Sequence, residues 1–254
     1  MLNILNDHLF GFDGSGLLLK SHFEPLFALH IPDGYLSWQV TVVTWILAIG
    51  LIALALKQVR QTYQDRTVAL MGVCAAFIFA AQMINFQIPG GTSGHLLGGT
   101  LAGVLLGPWA GTLVMVAVFI VQGLFFQDGG LTVMGANILN MGLIGTFGGY
   151  FLYRAIRELV GRNSWTGMAT GIAVAAWCSV MVAAIVCAFQ ITSSGLVALP
   201  VALASMSFWH LFIGIGEALI SVATASFIWR TRPDLFFDPP RKPRVVELRT
   251  PTLH

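Results

Sequence analysis

Six stretches of the chain are apolar for long enough to cross a bilayer as helices, which takes about 20 residues. They lie near residues 39–57, 67–86, 109–126, 133–156, 167–191 and 203–229. A seventh stretch, from about 95 to 107, is equally apolar but short, and reads as a half-inserted helix or a span through a locally thinned bilayer. The pattern predicts an all-α fold: a polytopic integral membrane bundle of seven helices, one of them short. Ahead of it, Asp7, Asp13, Lys20 and Glu24 interrupt every apolar patch. Residues 1–29 therefore read as an amino-terminal extension, without the positive start and continuous apolar core of a secretory signal. Behind it, residues 231–254 mix Pro233, Pro239, Pro240, Pro243 and Pro251 with basic residues, the composition of an irregular tail. The membrane domain falls between, over 30–230.

Composition agrees. The 254 residues are 56% hydrophobic and 9% charged, with a mean hydropathy of +0.80, whereas soluble domains carry roughly 25% charged residues. Cys74, Cys178 and Cys187 all lie inside apolar runs and show no metal-ligand spacing, so they read as packing residues. The basic residues carry the orientation. Lys57, Arg60 and Arg66 follow the first span, Arg154, Arg157 and Arg162 cluster at the end of the 133–156 helix, and six more follow the last. If the short helix crosses, every Lys and Arg except Lys20 falls on one side, which the positive-inside rule makes cytoplasmic. The expected protein is multi-pass in the cell inner (plasma) membrane, with its amino terminus outside and its carboxyl terminus in the cytoplasm. His30, His95 and Asp128 then share the external face.

His95 ends the glycine-rich turn GGTSGH at the mouth of the short helix. An ionisable group at that depth must be satisfied by protein, water or ligand, which makes it a candidate metal or substrate ligand. Gly99, Gly103 and Gly107 follow at four-residue spacing, a bare helix face suited to close packing. His30 opens HIPDGYLS, where a Pro-Asp-Gly turn fixes the chain beside the imidazole, compatible with a site or a plain surface turn. Two imidazoles suit nickel or cobalt but are too few for a tight site. A histidine near a free amino terminus would add the amine and a deprotonated amide, completing with His95 a planar four-nitrogen set, a geometry that points to Ni(II) or Cu(II) and that Co(II) accepts. Gln82, Asn85, Asn137 and Asn140 are polar at membrane depth, as candidate supports for the ion or as interhelical hydrogen-bonding groups. Asp128 opens a glycine-rich turn and reads as a turn residue before a cation-attracting one. His210 and Glu217 sit two turns apart on one helix face, and a charged carboxylate at mid-helix costs about 2.5–3.5 kcal/mol, so Glu217 should have a partner or be neutral.

Four segments carry a resemblance: HIPDGYLS, Ala81 to Gly111, Asp128 to Gly142, and HLFIGIGEALIS from His210. They resemble the substrate-capture (S) component of cobalt and nickel energy-coupling-factor (ECF) transporters, the CbiM/NikM family. The resemblance implies a seven-helix bundle and no resident cofactor, the transported ligand being Co2+ or Ni2+. It implies metal ligands His30 and His95, with the amine and backbone nitrogen of the amino terminus. Because the family motif begins with Met-His, Leu29 would be a ligand if it is the true, methionine-initiated terminus. The implied partners are ECF ATPase subunits, a transmembrane coupling (T) subunit and a small accessory membrane subunit, in the lipid bilayer and without nucleic acid. The chain has no GxxxxGK[ST] phosphate loop, so it reads as a transporter component rather than an enzyme, with ATP hydrolysed by separate subunits. The alternatives are an S component for an organic vitamin and a membrane metalloenzyme, the latter lacking any HExxH spacing.

Overall fold

The computed structural model describes residues 30–62, 65–84, 86–88 and 92–239. Two helices come first, α1 (Trp38–Thr62) and α2 (Asp65–Gln82). The second stops a few residues short of its expected end at 86. A small antiparallel ribbon follows, pairing β1 (Phe86–Ile88) with β2 (Thr92–Gly94). The long helix α3 (Gly99–Val121) continues into a π-type stretch, Gln122–Phe126. Next, α4 (Met134–Asn137), the π-type stretch Ile138–Gly148 and α5 (Gly149–Val160) run on as one rod, since Ile138 and Gly149 at the joints keep right-handed helical angles. The chain then forms α6 (Trp165–Ser193) and α7 (Leu199–Thr231). Ser164 starts α6 by accepting the Gly167 N–H at 2.9 Å, and Pro200 sits in the first turn of α7, where its missing N–H is no loss.

The short helix expected over 95–107 is the first arm of α3. It starts later than expected, at Gly99, because Gly98 takes the left-handed φ of +74° and His95 to Gly98 have no regular structure. It ends at Gly107, whose φ of +76° and ψ of 169° interrupt α3. Pro108 has no N–H to offer the Val104 carbonyl. Instead that oxygen accepts the N–H of Phe237 at 3.1 Å, and the Phe237 ring fills the space a side chain at 107 would need. Counting both arms of α3 and the 134–160 rod, the described residues hold seven longer helical segments and, after them, one short 3-10 turn, Pro233–Leu235. Four helices, namely α1, α3 with its extension, α6 and α7, are long and apolar enough to cross a membrane; the apolar part of α2 is shorter.

The first arm of α3 is the axis of the bundle and is buried along its whole length. Its glycine spacing is a packing seam: a Cβ at Gly99 would lie 2.8 Å from the Cα of Gly145, and one at Gly103 would lie 2.8 Å from the Thr146 carbonyl oxygen. Asn140 and Gln190 exchange amide hydrogen bonds of 2.7 and 2.9 Å and tie the rod to α6. The outward faces of α1 and α7 expose large apolar residues such as Trp38, Ile46, Leu219 and Phe227, which suits a lipid surround in a multi-pass membrane protein.

Candidate metal centre

The His30 turn is docked on the loop at residues 128–132 by a set of specific bonds. Ile31, fully buried, gives its N–H to the Asn137 side-chain oxygen at 2.9 Å. Its carbonyl accepts from the Asn137 amide at 3.2 Å and from the Gly130 N–H at 2.9 Å. One residue beyond Pro32, the Asp33 carboxylate accepts the N–H groups of Leu131 and Thr132, at 3.2 and 2.8 Å, and the Thr132 hydroxyl. Burial pushes the Asp33 carboxyl up, but these donors outweigh it and leave it below the ordinary carboxylate value. The result is a backbone fixed immediately after His30 by groups distant in sequence.

The imidazole is fixed as well. His30 Nδ1 donates to Asp128 at 3.0 Å. Burial raises the Asp128 carboxyl, yet the hydrogen bond and the electrostatic pull of His30 and His95 bring it below its ordinary value, so it is the ionised acceptor of this pair. With the proton on Nδ1, the lone pair of His30 is on Nε2.

His95 is carried by an arm clamped between two helices. From α2, Gln82 donates to the Leu97 carbonyl at 2.6 Å. From α7, the buried Glu217 carboxylate accepts the N–H groups of Leu97 at 2.9 Å and Gly98 at 2.8 Å. These donors lead into the first turn of α3, where a negative group suits the helix end. The imidazole Nδ1 lies 2.8 Å from the Leu96 carbonyl, which can only accept, so His95 also carries its lone pair on Nε2.

The two histidines meet. Their ring centroids are 4.4 Å apart with planes tilted by 39°, and Phe119 closes one side with its ring 5.5 Å from that of His30. Both rings are almost completely buried, and neither Nε2 has a hydrogen-bond partner. Two buried lone pairs, each backed by an acceptor on the opposite ring nitrogen, are the arrangement metal-binding imidazoles use. Unused, each would be a costly orphan.

Of the other residues singled out from the sequence, Gln82 and Asn137 hold the backbones that carry His95 and His30. Asn140 hydrogen-bonds Gln190. Leu29 and Asn85 lie outside the described residues. Sequence reasoning missed that Asp128 is the partner of His30, and that Glu217 meets backbone N–H groups of the His95 arm. Its demand that Glu217 have a partner was sound, but backbone donors leave no mark in a sequence. His210, the third buried imidazole, has Nδ1 2.6 Å from the Met206 carbonyl and an Nε2 without a partner.

Residues 30–235 match the family model described as the cobalt uptake substrate-specific transmembrane region, CbiM. The chain is 40% identical over 210 residues to a putative fused nickel transport protein, NikMN, of Archaeoglobus fulgidus, covering 82% of this chain and 68% of that one. It is 32% identical over 213 residues to the cobalt transport protein CbiM of Sorangium cellulosum, covering 82% and 94%. A crystal structure described as a truncated transition metal transporter superposes with a TM-score of 0.71 at 32% identity, covering 79% of this chain and 98% of that one.

Proposed function

The chain belongs to the family of cobalt-uptake substrate-specific transmembrane regions, and on that premise we propose that it is the substrate-capture component of an ATP-driven ECF importer for Co2+ or Ni2+. The ion is captured on the external face by His30 and His95, through nitrogen ligands. The observation that carries this reading is the 4.4 Å approach of two buried imidazoles whose Nε2 atoms have no protein partner. First-row divalent ions bind such nitrogen sites well. Nickel and cobalt are the metals in the names of relatives sharing 40% and 32% of aligned residues with this chain.

The energy comes from separate ATPase subunits acting through a transmembrane coupling protein with a small accessory subunit. This fits a chain without a phosphate loop. External capture rests on the one-sided distribution of Lys and Arg, which keeps the His30 and His95 side out of the cytoplasm. A free amine at position 29 would add to the ligand set. Chelation by the amide and imidazole of one residue closes a six-membered ring through Nδ1, so in that mode the His30 ring turns away from Asp128. Ligation through Nε2 leaves the Asp128 bond in place. The test is the metal retained by protein purified after expression in equal nickel and cobalt. Wild type is expected to retain one of the two, and H30A and H95A to lose it; equal retention by the variants refutes the site.

A further inference from the structure

The first arm of α3 has a joint at each end. Gly98, with a φ of +74°, precedes it, and Gly107, with a φ of +76°, ends it. Between them Gly99 to Leu106 form unbroken helix, about 12 Å of it at 1.5 Å per residue. His95 lies three residues before the near joint, so its height against His30 depends on what grips this arm. Gln82 and Glu217 hold Leu97 and Gly98 at the near end. The far end is gripped as well, by a segment that the capture site does not use.

That segment is Phe236 to Asp238, which leaves the 3-10 turn after α7 and comes back onto the bundle. The Phe237 N–H bonds the Val104 carbonyl at 3.1 Å, the acceptor that Pro108 leaves without its helical donor. The Phe237 ring fills the space beside Gly107, where a Cβ would come within 2.7 Å of it, and its centroid is 5.8 Å from that of Tyr150. Tyr150 packs on Gly103 of the arm and donates its hydroxyl to the Asp238 carboxylate. Arg157 is buried, and a buried guanidinium is costly unless its donors are used. It donates to the Asp238 carbonyl and to the Tyr153 hydroxyl, each at 2.8 Å. Phe236 is buried, with its ring 6.4 Å from that of Trp229 in α7. Three consecutive residues thus fasten together the arm, α5 and the end of α7.

Sideways movement of the arm is already blocked by the backbone contacts at Gly99 and Gly103. Sliding along its axis and turning about it are what remain. Residues 236–238 oppose both, because they hold the Val104 carbonyl and fill the space at Gly107. A helix of this length moves as one body, so a shift at Val104 is also a shift at the end that leads to His95. We propose that Phe236, Phe237 and Asp238 are positioning residues of the metal site, fixing from the far end of the arm the height at which His95 meets His30. The consequence for the ion rests on the capture reading above.

The test uses the purified full chain. F237P removes both the ring and the N–H, and the residue before it already has the extended backbone that proline requires, with φ −69° and ψ 142° at Phe236. Y150F removes only the hydroxyl that binds Asp238, and decides the matter if F237P does not fold. Amide hydrogen exchange of the metal-free protein reads the arm independently of the ion. The Leu97 and Gly98 amides should exchange at least about threefold faster in either variant, while those of Ala175 and Ala184 within α6 keep wild-type rates. Ni2+ should bind at least about threefold more weakly. Unchanged exchange at 97 and 98, or equal acceleration at all four amides, overturns the proposal, since the segment then adds only overall stability. Local acceleration with wild-type Ni2+ affinity also overturns it, provided H95A loses binding. If H95A binds Ni2+ as wild type does, the capture reading falls instead, and the exchange pattern alone decides whether the segment holds the arm.

Discussion

Replacing Glu217 with alanine should loosen the His95 arm more than any other single change outside the histidines. The carboxylate is 1% exposed and accepts two backbone N–H groups, at 2.9 and 2.8 Å, from residues 120 and 119 positions away. Its removal leaves the Leu97 donor, in a fully buried residue, and the Gly98 donor, only partly buried, without acceptors. A buried unpaired donor costs about 1–3 kcal/mol, so the pair gives about 2–4 kcal/mol after allowing for the exposure of Gly98. Relief from burying a carboxylate offsets part of this. E217Q, which keeps one acceptor oxygen, should lose about 1–3 kcal/mol. Denaturant unfolding in detergent micelles, followed through the seven tryptophans, measures the loss. Because the arm carries His95, Ni2+ affinity should fall together with stability, about tenfold for each 1.4 kcal/mol of lost docking. An E217A protein within about 0.5 kcal/mol of wild type, with unchanged Ni2+ affinity, would refute the clamp.

Other perturbations probe the remaining supports. N137A leaves the buried Ile31 N–H unpaired and should destabilise the His30 turn by about 1–3 kcal/mol, read as a lower unfolding midpoint and weaker Ni2+ binding. The Asp33 carboxyl is held below its ordinary value, so its contribution is complete above the unfolded value and is lost as pH falls through the lower folded one. A thermal-stability profile of wild type should therefore drop on acidification more than that of D33N, and superimposable profiles would contradict this linkage. G99V forces a side chain against the Gly145 backbone and should cost about 1–3 kcal/mol or more by overpacking; unaltered thermal stability would mean the seam is looser than described. F237A empties the space beside Gly107 and should cost about 1 kcal/mol, as fits a partly exposed ring, measured the same way.

Much of this fold is legible in the amino-acid sequence. Apolar runs report helices directly, because a bilayer tolerates little else, and the glycines at 99 and 103 announced a close seam with the partner helix left unnamed. The break between the two arms of α3 was visible in the shortness of the 95–107 run and its separation from the run at 109–126. Its repair by Phe237 was not, since a backbone N–H more than a hundred residues away has no signature. The π-type stretches were equally hidden, because apolar periodicity does not distinguish them from ordinary helix over a few turns. At the site, GGTSGH and HIPDG gave the two histidines, and the one-sided charge pattern put them on one face. What brings their rings to 4.4 Å is side chain to backbone bonding by Asn137, Asp33, Gln82 and Glu217. Such bonds need only an amide or a carboxylate at the right place, so composition and spacing leave Asn140, which pairs with Gln190, looking the same as Asn137.

The central claim is that His30 and His95 hold one divalent ion together. X-ray absorption at the nickel edge of the loaded protein counts its imidazole ligands directly. Wild type is expected to show multiple-scattering features of at least two imidazoles, and H30A and H95A to lose the bound ion. A spectrum without imidazole scattering, or one identical in wild type and H95A, would contradict it.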